Sequence, residues 1–97
     1  MMNIDMVYAS IKEILQKHIS NPGYQFMIFG SRATGAARVY SDVDIAVIGD
    51  APIDLGILAR VNEDLEESSI PVNVDIVDFS RVSSDFRRIA SQHMVLL

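Results

Sequence analysis

Apolar residues early in the chain recur with a helical rhythm: Ile4, Val7, Tyr8, Ile11, Ile14 and Leu15 fall three or four positions apart and so share one side of an α-helix. Asn3 or Asp5 can cap its start, because a short side-chain oxygen there satisfies an amide that the first turn leaves free. The helix is predicted to stop in Ser20-Asn21-Pro22-Gly23, where Pro22 has no amide hydrogen and pushes Asn21 away from helical angles. The rhythm then changes. Tyr24 to Phe29 is an aromatic and β-branched run of strand length, broken at its C-terminal end by Gly30 and Ser31. The small residues of Arg32 to Arg38 read as one short helical segment. Val43 to Asp50 reads as a second strand closed by Gly49, Asp50 and Pro52. Asp54 can cap a helix that carries Ile57, Leu58, Val61 and Leu65 on one side. Pro71 to Phe79 reads as a third strand, and Ser83 or Ser84 opens a last helix through Phe86, Ile89 and Ala90. Met94 to Leu97 suits the core, the sheet edge or an exposed apolar tail.

Helix, strand, short helix, strand, helix, strand, helix is an α/β order of the α+β kind, predicting a small mixed sheet with helices packed on it. The 97 residues are expected to form a single domain spanning 1–97. No apolar stretch approaches the ~20 residues of a membrane span and no basic leader precedes an apolar segment, so the expected setting is cytoplasmic, with no membrane partner. Without cysteine the chain has no thiolate ligands, and a bound metal would rest on oxygen or histidine. A net charge of −5 disfavours an extended nucleic-acid footprint, which needs clustered Lys and Arg.

The chemistry concentrates in the second strand. Side chains alternate along a strand, so Asp42, Asp44 and Ala46 share one face while Val43, Ile45 and Val47 share the other. The two carboxylates are spaced roughly 6.5 to 7 Å at Cα, and convergent carboxyls at that spacing can hold two divalent ions about 3.5 to 4 Å apart. Asp75 interrupts the third strand as Asp44 interrupts the second. Asp is poor in strands, and two such charges about 6 Å apart repel by roughly 3 kcal/mol at an effective dielectric near 20, so the cluster calls for a cation. Upstream, Gly30 lets backbone approach a ligand closely, and Ser31 offers a hydroxyl and an amide to a phosphate oxygen. A Gly-Ser turn beside a carboxylate pair able to carry Mg²⁺ points to a metal-bound triphosphate.

Gly30-Ser31, ten intervening residues and then Asp42-Val43-Asp44 resemble the signature of the DNA polymerase β-like nucleotidyltransferase superfamily. The resemblance is nearest to its minimal nucleotidyltransferases, short proteins with "GSRARG" followed by "SDIDL" where this chain reads "GSRATG" and "SDVDI". Thr34 stands where that group usually has a second arginine. The resemblance implies a polymerase β-like fold, with Asp42, Asp44 and Asp75 holding two Mg²⁺ ions. It also implies Gly30 and Ser31 on the phosphates of ATP, and Arg32 and Ser41 as further nucleotide contacts. It implies transfer of AMP to an acceptor. Minimal nucleotidyltransferases are commonly paired with a small helical HEPN protein, and as antitoxins they place AMP on a tyrosine of that toxin, so a hetero-oligomer with a HEPN protein is expected. Two alternatives remain at this point: a noncatalytic partner that neutralises such a protein by covering it, and a transferase acting on a small hydroxylated molecule.

The other polar residues read more plainly. Asp78 faces away from Asp75 near a strand end, where a capping or solvent-exposed role is expected. Arg87 and Arg88 suit a solvated helix face. His18 and His93 sit near helix ends, where positive charge meets the helix dipole.

Overall fold

In a computed structural model that describes residues 2–97, the chain forms α1 (Ile4–His18), β1 (Gln25–Phe29), α2 (Ser31–Thr34), β2 (Val43–Ile48), α3 (Leu55–Glu67), β3 (Val74–Asp78), α4 (Ser84–Ala90) and β4 (Val95–Leu96). The sheet runs β3-β2-β1-β4. β2 pairs parallel with β3 and antiparallel with β1, and β4 pairs antiparallel with β1. The sheet is therefore mixed, as the alternation of elements predicts.

Three caps arise where short polar residues precede apolar periodicity. Asn3, rather than Asp5, caps α1 by accepting from the Met6 amide at 2.9 Å. Asp54 accepts from the amides of Gly56 and Ile57 at the start of α3. Ser83 accepts from the Phe86 amide to start α4. α1 presents Val7, Ile11 and Leu15 to the core, all buried, and burying such side chains contributes about 1.5–3 kcal/mol each.

The register divides the sheet into two unlike faces. Ile28 opposes Ile45, which opposes Ile76, while Val43 opposes Val74. Residues opposed in a ladder point the same way, and this face carries the main core with α1 and α3 against it. On the other face Phe29 opposes Asp44, which opposes Asp75, while Met27, Ala46 and Val77 form the next row. That second face is split. Phe29, Ala46 and Phe79 form a smaller cluster with Met27, Ile48, Val77, Val82, Ala90 and Met94 packed on it, and the rings of Phe29, Phe79 and Phe86 meet edge to face with centroids 5.4 to 6.1 Å apart. Phe29 carries this cover into the row it shares with Asp44 and Asp75, and the two carboxylates lie at its edge, Asp44 half-buried and Asp75 exposed.

One expectation needs correction, and the structure settles two that were open. The helical segment expected over Arg32 to Arg38 is only the four-residue α2, because Gly35 turns left-handed at φ 85° and ends it. The terminal segment takes parts of two roles: Val95 and Leu96 extend the sheet edge with exposed side chains, while Leu97 donates its amide to the Phe26 carbonyl at 3.0 Å and packs on the main core. Asp78 does serve as a cap of sorts, but it is only 6% exposed.

The Asp78 carboxylate accepts from the Ile53 amide at 2.8 Å, from the Ser80 amide at 2.9 Å and from the Ser80 hydroxyl at 2.7 Å. Arg81 lies 3.3 Å from it and also donates to the Ile53 carbonyl at 3.0 Å. The end of β3 is thereby tied to the loop entering α3. Burial works to raise the Asp78 pKa, but the hydrogen bonds of Ser80 and Ile53 and the charge of Arg81 outweigh it and hold the carboxyl below its usual range. Asp64 is also held low, chiefly by its hydrogen bond with His18, 2.6 Å away. A depressed carboxylate stabilises the fold above its unfolded pKa near 3.9, and that contribution disappears as pH falls through the native value. Stability is therefore expected to decline as pH drops below about 5. Asp78→Ala leaves buried donors unpaired and should cost about 2–4 kcal/mol near neutral pH, with a shallower loss in acid. Urea denaturation at pH 7 and pH 3.5 reads both; an unaltered midpoint at pH 7 would rule the clamp out.

Candidate active site

The site begins where β1 ends. Gly30 adopts φ 73° and ψ −151°, a combination essentially restricted to glycine. A Cβ built there would lie 2.5 Å from Oδ2 of Asp44. Glycine thus does two things at this point: it permits the turn, and it leaves room for the carboxylate of the neighbouring strand. The Gly30 carbonyl accepts from the amides of Ala33 and Thr34. The amides of Ser31 and Arg32 precede those donors and have no partner within the helix, which is the arrangement by which a helix start offers hydrogen bonds to an anion.

The carboxylates come from two strands. Asp42 is exposed one residue before β2, Asp44 is half-buried as its second residue, and Asp75 is exposed on β3. Asp44 and Asp75 are direct partners in the parallel ladder, so their backbones stand about 4.8 Å apart. Burial above all, then the negative charges of Asp75 and Asp42, hold the Asp44 carboxyl above its usual range. The two neighbouring charges are thus close enough to add to burial in disfavouring ionisation of Asp44.

Among the described residues no three His, Asp or Glu side chains converge into a finished ion cage. The donors nevertheless fit a hard divalent cation: they are all carboxylate oxygens, Asp44 is pushed up by burial and then by the charges of Asp75 and Asp42, and the absent side chain of Gly30 keeps its oxygen accessible.

Between α2 and β2 the chain forms a tight turn. The Ser41 amide donates to the Arg38 carbonyl at 3.0 Å, and the Arg38 amide donates to the Ser41 hydroxyl at 2.8 Å. Ser41, expected near phosphate, thus has its hydroxyl engaged in the loop. Arg32 also faces this loop. Its Nε and Nη2 donate to the Ser41 carbonyl at 3.2 and 2.7 Å, and Nη2 reaches the carbonyls of Val39 and Arg38 at 3.3 and 3.4 Å. Thr34, at the position of the missing arginine, donates to the Ser31 carbonyl at 3.2 Å. A cleft of about 480 Å³ opens beside the loop, between Ile4 and Val7 of α1, Arg38, Tyr40 and Val72; the three aspartates stand outside it on the open face.

Of the residues expected at the site, Gly30, Asp44 and Asp75 meet across neighbouring strands, Asp42 leads into them, and Ser31 starts the adjoining helix. Sequence reasoning missed the aromatic support beneath them. Phe29, directly opposite Asp44, anchors the row through Phe79 and Phe86; the signal was an aromatic residue immediately before the Gly-Ser break. Arg87, expected on a solvated face, instead ties α4 to this support by donating to the Phe79 carbonyl at 2.6 Å. His18 pairs with Asp64 on the other side of the sheet, while exposed Arg88 makes only a marginal 4.0 Å contact with Asp85.

Comparison with known proteins agrees with this geometry. A family model described as "Polymerase beta, Nucleotidyltransferase" matches residues 9–97. A Haemophilus influenzae protein named "Probable protein adenylyltransferase MntA" is 39% identical over 89 residues, which make up 92% of this chain and 76% of that protein. A solved structure provisionally named a minimal nucleotidyltransferase is 27% identical with a TM-score of 0.72, covering 99% of this chain and 97% of that one. A toxin–antitoxin crystal structure with AMP-PNP is 25% identical with a TM-score of 0.71, covering 91% of this chain and 69% of that one. The sheet, the Gly-Ser turn and the paired strand carboxylates therefore have a common explanation: the chain belongs to the polymerase β nucleotidyltransferase family, and within it to the minimal nucleotidyltransferases.

Proposed function

We propose that this protein is an antitoxin that transfers AMP from ATP to a tyrosine hydroxyl of a HEPN-domain toxin, with Asp42, Asp44 and Asp75 holding two Mg²⁺ ions. The observation that carries the reading is Asp44: half-buried, in ladder register with Asp75, beside a glycine whose Cβ would strike it, and raised in pKa by that burial first and by both neighbouring carboxylates after it. Such an arrangement is unfavourable in itself and becomes favourable when cations and a phosphate enter. Similarity to a relative named as a protein adenylyltransferase, and to a toxin–antitoxin pair with an ATP analogue, supports the nucleotide and the partner.

In this reading the amides and hydroxyl at Gly30 and Ser31 hold the terminal phosphates, and the open face leaves the α-phosphate accessible to an acceptor. When bound, the metal ions supply charge neutralisation at the departing pyrophosphate and acidify the attacking hydroxyl. The tyrosine oxygen forms a bond to the α-phosphorus as the bond to pyrophosphate breaks, and Asp75 receives the hydroxyl proton. Asp44 fixes the geometry between the two halves of the site, because it alone of the three lies within the sheet between two paired strands. The open face is consistent with a protein acceptor: in this reading the chain supplies the nucleotide side of the reaction and the partner's surface closes the other.

The test is incubation with α-labelled ATP, Mg²⁺ and the protein encoded beside this one, followed by mapping of the labelled residue. Label on a tyrosine of the neighbour is expected. Association of the two proteins without label from any of the four nucleotides would replace catalysis with neutralisation by binding.

A further inference from the structure

We infer that Arg32 is a positioning residue which sets the metal-binding geometry by clamping the loop that delivers Asp42, an inference that rests on the metal-dependent reading above and deepens it. Asp42 lies outside β2, so the ladder that fixes Asp44 and Asp75 does not hold it. On its C-terminal side Asp42 is tethered through Val43, whose amide donates to the Asn73 carbonyl at 2.9 Å; on its N-terminal side its place depends on the turn immediately before it. That turn is closed locally by the reciprocal bonds between Arg38 and Ser41, but those bonds only shape the turn and do not attach it to the rest of the molecule.

Arg32 provides the attachment. It projects from α2, whose start is fixed to the end of β1 by the bonds on the Gly30 carbonyl. Its guanidinium meets the Ser41 carbonyl through both Nε and Nη2, and the shorter of these bonds is 2.7 Å. Ser41 is bonded directly to Asp42. Contacts from Nη2 to the Val39 and Arg38 carbonyls gather the whole turn around one planar cation. Three carbonyls turned toward a single group would repel one another without it, and charge-assisted bonds of this kind are about twice as strong as neutral ones. The same side chain connects the phosphate-binding end of the site, one residue after Ser31, to its first carboxylate, so movement at one is transmitted to the other.

The guanidinium's shape matters as much as its charge. A planar fork can meet one carbonyl through two nitrogens while reaching its neighbours, which an ammonium cannot do. A direct phosphate contact would be largely preserved by lysine, so lysine distinguishes the two roles.

The experiment compares wild type, Arg32→Lys and Arg32→Gln as full chains. Amide hydrogen exchange of the nucleotide-free protein is read at Arg38 and Ser41, with α1 and β1 as reference. Mn²⁺ affinity is read by electron paramagnetic resonance, and kcat and KM for ATP by label transfer. Both variants are expected to exchange faster at Arg38 and Ser41 but not in α1 or β1. They should bind Mn²⁺ about 10-fold more weakly and lose about 10- to 100-fold in kcat, with KM for ATP within about twofold of wild type. Wild-type exchange and Mn²⁺ affinity in Arg32→Lys, with a raised KM only in Arg32→Gln, would overturn the inference in favour of a phosphate contact. Faster exchange throughout α1 and β1 would overturn it in favour of a general structural role. If wild type transfers no nucleotide, the proposed function fails, while exchange and Mn²⁺ binding still decide the role of Arg32.

Discussion

Asp44→Asn is expected to lower Mg²⁺-dependent AMP transfer by about three orders of magnitude or more, because in the proposed function Asp44 helps hold metal ions that would supply several kcal/mol of stabilisation to the reaction's charge, and each 1.4 kcal/mol is a factor of ten. The substitution preserves shape and removes only the charge. The same change should leave the fold as stable as before or more so. The Asp44 carboxyl is raised by burial and by Asp75 and Asp42, so at neutral pH its ionised form is disfavoured in the folded state, and a neutral amide relieves that cost. The sign is opposite to that of Asp78, whose carboxylate is held low by its donors and stabilises the fold. Thermal unfolding beside label transfer therefore gives a signature: activity lost with melting temperature unchanged or raised. Transfer by Asp44→Asn at the wild-type rate would remove this residue from the site, and a fall in melting temperature would show that its charge serves the fold.

Gly30→Ala should damage both stability and activity. The added methyl meets two obstacles, a backbone at φ 73° and ψ −151° and the Asp44 oxygen 2.5 Å away. Backbone strain in this region costs about 1–3 kcal/mol, which for a domain of this size corresponds to roughly 5–15 °C in melting temperature. Relief of the collision must move Asp44 or the turn, and with it the relation between carboxylates and phosphate; transfer is expected to fall about 100-fold or more, as a misplacement near 1 Å does. Gly35→Ala is the control. Gly35 is also left-handed, at φ 85°, but nothing lies within 4 Å of a Cβ built there. It should lose about 1 kcal/mol through backbone strain and keep most of its transfer. Equal activity in the two alanine variants would show that the close approach of Gly30 to Asp44 is irrelevant to the reaction.

Much of this site is local in the chain, which is why it could be read there. Gly30, Ser31, Asp42 and Asp44 belong to one strand-turn-strand stretch, and an interrupted apolar alternation exposes the two aspartates without knowledge of any distant contact. Asp75 was legible as an odd carboxylate in a later strand. Its pairing with Asp44 was not, because that depends on β3 lying parallel to β2 in a particular register. Asp78 misled in part for the same reason. Alternation correctly turned it away from Asp75, but a carboxylate near a strand end gives no sign that the Ile53 amide, 25 residues earlier, will arrive within 2.8 Å. The four-residue length of α2 was hidden by a run of small residues that tolerates either helix or loop, until Gly35 in its left-handed conformation decides.

The sequence by itself determined the order of the first seven elements, the capped starts of three helices, the lack of thiolate ligands and the spacing between the Gly-Ser turn and the first two aspartates. These follow from periodicity, turn chemistry and the alternation of a strand, all of which act over a few residues. Only the tertiary structure decided that Asp44 lies between Gly30 and Asp75, that one half of the carboxylate face is sealed by Phe29, Phe79 and Phe86, and that Arg32 bonds the loop before Asp42. Those relations depend on strand register and side-chain reach, and both are set by burying the opposite, apolar face of the sheet against α1 and α3.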